Sequence, residues 1–187
     1  MNRVSIVFLG ATALSLGACG SKTDTTAPSP STTTNVAAAE APTPMLAPGQ
    51  DFANKAASSD AFEIESSKLA LDKSTSAKVK KFAQAMITAH TDSTGKLKTA
   101  AASVSPALTL DPTLTTEQQA ELDSLKSASG TAFDRTYIDA QRGGHERTLA
   151  ALRHYSANGD VPAFRTFATG LVPTVTAHLN MAKGLKP

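Results

Sequence analysis

The chain has 187 residues, 41% of them apolar but only 5% aromatic and none of them tryptophan, so an interior must be built chiefly from alanine, leucine, valine and phenylalanine. Eighteen basic residues against sixteen acidic ones give a formal charge of +2, which offers neither the basic footprint of a nucleic-acid binder nor an acidic tail. A single cysteine, Cys19, excludes an intramolecular disulfide.

The first 19 residues read MNRVSIVFLGATALSLGAC. Arg3 supplies a positive start, and Val4 to Leu16 form an apolar run shorter than the roughly 20 residues that a spanning helix needs. The run closes on Leu16-Gly17-Ala18-Cys19, which resembles the bacterial lipobox. The resemblance implies a lipoprotein signal peptide over 1–18 and acyl chains such as palmitate on Cys19. It also implies an envelope address. Gly20, where an aspartate would signal inner-membrane retention, points to the outer membrane facing the periplasm. Each buried acyl CH₂ contributes about 0.8 kcal/mol to such an anchor. Residues 19–50 are then a tether of Ser, Thr, Pro and Ala, too poor in large apolar groups to offset the entropy of ordering.

Four long helices and one short one are predicted beyond it. The first runs from about Asp51 to Ser74, with Phe52, Ala56, Phe62, Leu69 and Ala70 on one side and Glu63 near the middle of that arc. After a break at Ser74-Thr75-Ser76, a second helix extends to about Ala102; its stripe is Val79, Phe82, Ala83, Met86, His90, Leu97 and Ala101. Pro106 and Pro112 keep the next stretch irregular. Thr115 or Thr116, with Gln118 or Gln119 three residues on, resembles a capping box for a short helix that buries Leu122 and Leu125.

The third long helix, Ser129 to Tyr155, is the most informative. Phe133, Tyr137, Ile138, Leu149 and Leu152 form its apolar arc, and Asp134, Gln141 and His145 fall inside that arc. Arg135, Arg142, Glu146 and Arg153 fall on the opposite, solvated side. The Gly143-Gly144 pair either admits a close neighbour or marks a soft point. Asn158-Gly159 reads as a stop, Asp160 as a cap and Pro162 as a first-turn residue of the last helix. That helix carries Phe164, Phe167, Ala168, Leu171, Val175, His178 and Ala182 on one stripe, with a kink expected at Pro173.

Each long helix thus turns a candidate metal ligand inward: Glu63, His90, His145 and His178, with Asp134 a fifth and His154 left at the surface. At 1.5 Å per residue, Glu63, His90 and His145 lie roughly 18, 22 and 21–24 Å from the same end of a bundle. His178 falls roughly 10 Å away or nearer, depending on topology. A carboxylate with neutral imidazoles suits one transition ion such as zinc or iron, and equally copper or nickel. The same residues also suit a hydrogen-bond network that only stabilises the interior. No Glu-x-x-His occurs, so a di-iron carboxylate centre is disfavoured. No nucleophile triad, phosphate loop or Cys/His zinc motif is present either.

His90 four residues after Met86, the run Gly130-Thr131-Ala132-Phe133-Asp134-Arg135-Thr136-Tyr137, His145, and Pro173 followed by His178-Leu179 together resemble a family of uncharacterised bacterial envelope proteins, often labelled as outer-membrane proteins. The resemblance spans roughly residues 51–184 and implies an all-α, ferritin-like four-helix bundle with an extra short helix between the second and third long helices. The family usually carries an acid before the second-helix histidine, where this chain has Ala89. The expectation is an envelope lipoprotein that is a binding or stress-response module with a His/Glu metal site and a membrane partner through its lipid. The alternative is a structural lipoprotein with a stabilising polar network.

Overall fold

The structure, a computed structural model, describes residues 46–187. The expected signal peptide, the expected acylation of Cys19 and the expected tether up to residue 45 lie outside the described residues. The described chain folds as α1 (Gln50–Lys73), α2 (Ala77–Ala102), α3 (Thr116–Ser127), α4 (Gly130–Asn158) and α5 (Pro162–Gly184), with no strand among the described residues. None of these helices is long and apolar enough to cross a membrane.

The helix ends follow from local chemistry. Ser76 caps α2 by accepting the Val79 N–H, and the Ser74 N–H closes α1 on the Ala70 carbonyl. Thr115 and Gln118 form a reciprocal capping box on α3, with bonds of 3.2 and 2.9 Å. One expectation for the α4–α5 corner is corrected. Asp160 does not cap α5, whose N-cap is Val161 without a side-chain bond. Its carboxylate is taken by the Tyr155 hydroxyl at 2.6 Å and the Gly49 N–H at 3.2 Å. Partial burial and the Asp160 carboxylate push the Tyr155 phenol up to about 12. Gly159 ends α4 at the expected stop, with an ordinary φ of −61°. Its reason is space: a Cβ there would collide with the Tyr155 ring. Gly49 requires glycine for both conformation and space, at φ 74° with Val161 and Phe164 where a Cβ would stand.

Cross-helix pairs fix the topology. Phe52 stacks on Tyr155 at 3.8 Å, Ser59 faces Thr148, Gln141 meets Glu63, and the Ser67 hydroxyl bonds that of Tyr137 at 2.8 Å. Residue numbers rise along α1 as they fall along α4, so the two are antiparallel. Since α1 and α2 form a hairpin through Ser74–Ser76, α2 and α4 run parallel, and the link between them crosses the length of the bundle. Residues 103–115 are pinned at the start of α1, where Gln50 bonds the Thr109 carbonyl at 2.7 Å and Asn54 accepts the Asp111 N–H at 3.1 Å. The far end of α3 meets the other end of α1, where Lys73 binds the carbonyls of Leu125 and Lys126.

The core is layered. At the α1–α2 turn it comprises Ala70, Val79, Phe82, Met86, Leu125, Phe133, Tyr137 and Ile138. Towards the other end, Ala53, Leu97, Phe164 and Phe167 form one cluster and Leu149, Leu152, Val175 and Leu179 another. Between them lies a belt of buried polar groups: Asp60, Glu63, His90, Gln141, His145 and His178. Pro173 does not break α5, which continues from Pro162 to Gly184. Both Pro173 and Thr169, whose carbonyl it leaves without a helical donor, are on the exposed face, where that carbonyl is open to solvent.

Candidate metal centre

The belt places three imidazoles together. His90 follows Met86 by one turn on α2, His145 lies between Ile138 and Leu149 on α4, and His178 lies between Val175 and Ala182 on α5. Each takes its place because the residues around it on the same stripe are apolar and commit that face to the interior. The ring centroids are 5.8 Å apart for His90–His145, 5.9 Å for His90–His178 and 5.5 Å for His145–His178. One ligand atom from each lies within 4.8 Å of the others.

Hydrogen bonds fix two of the rings. His90 donates Nδ1–H to the Asp60 carboxylate at 2.8 Å, which leaves Nε2 as the lone-pair nitrogen. His145 donates Nδ1–H to the Gln141 carbonyl at 2.8 Å, again leaving Nε2. His90 Nε2, His145 Nε2 and His178 Nδ1 are buried and have no hydrogen-bond partner within the protein. Buried polar atoms are normally paired, so three unpaired nitrogens in one place invite a ligand that accepts lone pairs.

Electrostatics sort the three. Burial, reinforced by the neighbouring His145 and His90, drives His178 down to about 4, so it is a neutral donor at ordinary pH. Burial also acts to lower His90, but the Asp60 bond and the charges of Glu63 and Asp60 outweigh it and hold His90 above the usual imidazole value. Beside His90 and His178 is a cavity of about 40 Å³ bordered by Ser59, Asp60, Ala89, Ser93 and Thr174. It has room for water-sized ligands.

Of the residues singled out by sequence, His90, His145 and His178 converge. Glu63 is buried but stands behind His145, with Oε1 3.7 Å from Nδ1 and Oε2 accepting the Gln141 amide at 2.6 Å. Gly144 admits it: a Cβ there would lie 3.3 Å from Oε1, so this glycine serves close approach. Asp134 is buried but eleven residues before His145, roughly 16 Å along the helix, and is not part of the group. His154 is exposed. The sequence reading missed Asp60. Its signal was its distance from the turn: Asp60 precedes Ser74 by fourteen residues and His90 follows Ser76 by fourteen, so the two stand level across the hairpin.

Three imidazoles with open coordination positions match the donor sets of zinc and copper sites. Three solved structures share the fold. CopM in its Cu(I)-bound form has a TM-score of 0.60 and 18% identity, over 74% of this chain and 95% of that one. The Ag-bound form gives 0.58 and 18%, over 74% and 95%, and the Cu(II)-bound form 0.60 and 19%, over 75% and 96%. No curated protein matches the sequence. Residues 33–185 match the family described as "Domain of unknown function (DUF4142)", and the chain belongs to that family.

Proposed function

We propose that this family member is an envelope-anchored metal-binding module that holds one copper ion on His90, His145 and His178. The observation that carries the reading is the convergence of three buried, unpartnered ring nitrogens, two of them on imidazoles whose opposite nitrogen is already engaged. A network that existed only to stabilise the core gains nothing by gathering three such nitrogens in one place, because each unpaired buried polar atom costs about 1–3 kcal/mol. Copper is the first choice because nitrogen donors bind Cu(II) most tightly among the first-row divalent ions. The similar fold of a protein solved with Cu(I), Cu(II) and Ag supports it. Two parallel long helices joined by one crossover are also the arrangement of ferritin-like bundles, in which metals occupy the helical interior. Leu16 to Cys19 supports a lipid anchor at the outer membrane, which would place the module in the periplasm.

The test is metal analysis of the untagged chain carrying Cys19→Ser, followed by titration with copper and with Co(II) as a spectroscopic probe. One ion per chain is expected, with His90→Ala, His145→Ala and His178→Ala each abolishing stoichiometric uptake. A wild-type site that takes up neither copper nor cobalt, or three variants that bind as the wild type does, would overturn the reading.

A further inference from the structure

We propose that Asp60 and Glu63, one turn apart on α1, fix the charge of the three-histidine centre and make it select a divalent over a monovalent ion. The inference rests on the metal reading above and concerns which ion the centre prefers. Both carboxylates are buried, Asp60 at 5% and Glu63 at 3% exposure. Each lies against the Nδ1 side of a different imidazole: Asp60 2.8 Å from His90 and Glu63 3.7 Å from His145. Among the described residues no lysine or arginine pairs with either. Imidazoles that ligate an ion are neutral, so in the loaded centre the charge of Asp60 and Glu63 is balanced by no lysine or arginine, only by the ion. Buried charge is costly unless compensated. A divalent ion balances the pair, and a monovalent ion leaves one charge over.

The local structure maintains this arrangement. Thr94 is within 3.2 Å of the second Asp60 oxygen, and Gln141 holds Glu63 through Oε2. Asp60→Asn keeps an acceptor for the His90 Nδ1–H and removes the charge. Glu63→Gln removes the charge beside His145, whose Nδ1–H stays on the Gln141 carbonyl. At a fixed distance a unit charge acts on a divalent ion with twice the energy it exerts on a monovalent one. A charge effect therefore appears as a logarithmic loss about twice as large for the divalent ion. A mere loosening of His90 would weaken both ions alike.

The experiment measures Zn(II) and Ag(I) affinities by chelator competition for the full chain carrying Cys19→Ser, with and without Asp60→Asn or Glu63→Gln. Comparing each variant with its parent cancels the intrinsic preferences of the two metals. Zn(II) affinity is expected to fall about 10- to 100-fold, and Ag(I) affinity by about the square root of that factor. Circular dichroism reports folding, and Co(II) spectra report an unchanged ligand set. If Asp60→Asn does not fold, Glu63→Gln carries the same comparison. Equal losses for the two ions, or no loss for either, overturn the inference while the metal reading stands. A parent chain that binds neither ion overturns both.

Discussion

At the residue scale, the three histidines are one residue type in three environments. His178 has the most consequence for the metal-free protein, because burial and two imidazole neighbours bring it to about 4. The unfolded chain accepts that proton near the ordinary value of about 6.5. Between these pH values the unfolded state binds the extra proton and the folded state does not, so stability present above 6.5 is lost as pH falls toward 4. His90 has the opposite sign: its folded value is raised, so its contribution is full below 6.5 and declines as pH rises through the folded value. Thermal melts of metal-free protein from pH 4 to 8 are expected to show reduced acid-side destabilisation in His178→Leu. An acid limb that matches the parent would remove His178 as its cause. Gly144 belongs to this scale too: the missing methyl lets the Glu63 carboxylate sit beside His145.

At the element scale, the helices are held by contacts that periodicity does not display. Arg142 was expected on a wet face, yet it lies half-buried across the end of α5. Its guanidinium donates to the carbonyls of Ala182, Lys183 and Leu185 at 3.1, 3.2 and 2.9 Å. These include carbonyls that the last turn of any helix leaves without donors, and a cation there also complements the helix dipole. Arg142→Ala is expected to cost about 1–3 kcal/mol, measured by urea unfolding, with faster amide exchange concentrated in the last turn of α5. Uniform exchange along α5 would place the arginine's effect elsewhere. The side chain points along α4 toward a carbonyl cluster that exists only because α5 ends there, and no residue of α4 announces it.

At the scale of the whole molecule, two apolar ends enclose a polar middle. This division sets a test between a metal site and a stabilising network. In the metal-free protein His145 keeps a buried, unpaired Nε2, and relieving such a group recovers about 1–3 kcal/mol, offset by the loss of its Nδ1 bond. His145→Leu is therefore expected to leave the metal-free melting temperature unchanged or higher and to abolish metal uptake. A clear fall in the metal-free melting temperature would favour the network. The parallel run of α2 and α4 gives this arrangement its form. The crossover lets α1 and α5, which flank both of them, bring Asp60 and His178 to opposite sides of His90.

The amino-acid sequence by itself determined the helices, their inward stripes and the heights of His90 and His145, because 3.6-residue periodicity and a fixed rise per residue are properties of the chain alone. It also determined that a short capped helix follows two prolines, since Thr115 and Gln118 bond each other locally. Only the tertiary structure decided which of the inward polar groups share a site. Asp134 and His145 lie on one face but three turns apart, while Asp60 and His90 meet across a hairpin. The choice between a ligand and a supporting carboxylate also depended on packing. Glu63 stands behind His145 with Oε2 held by the Gln141 amide and with Gly144 leaving room beside Oε1, and such a three-body arrangement has no trace in the spacing of any single helix.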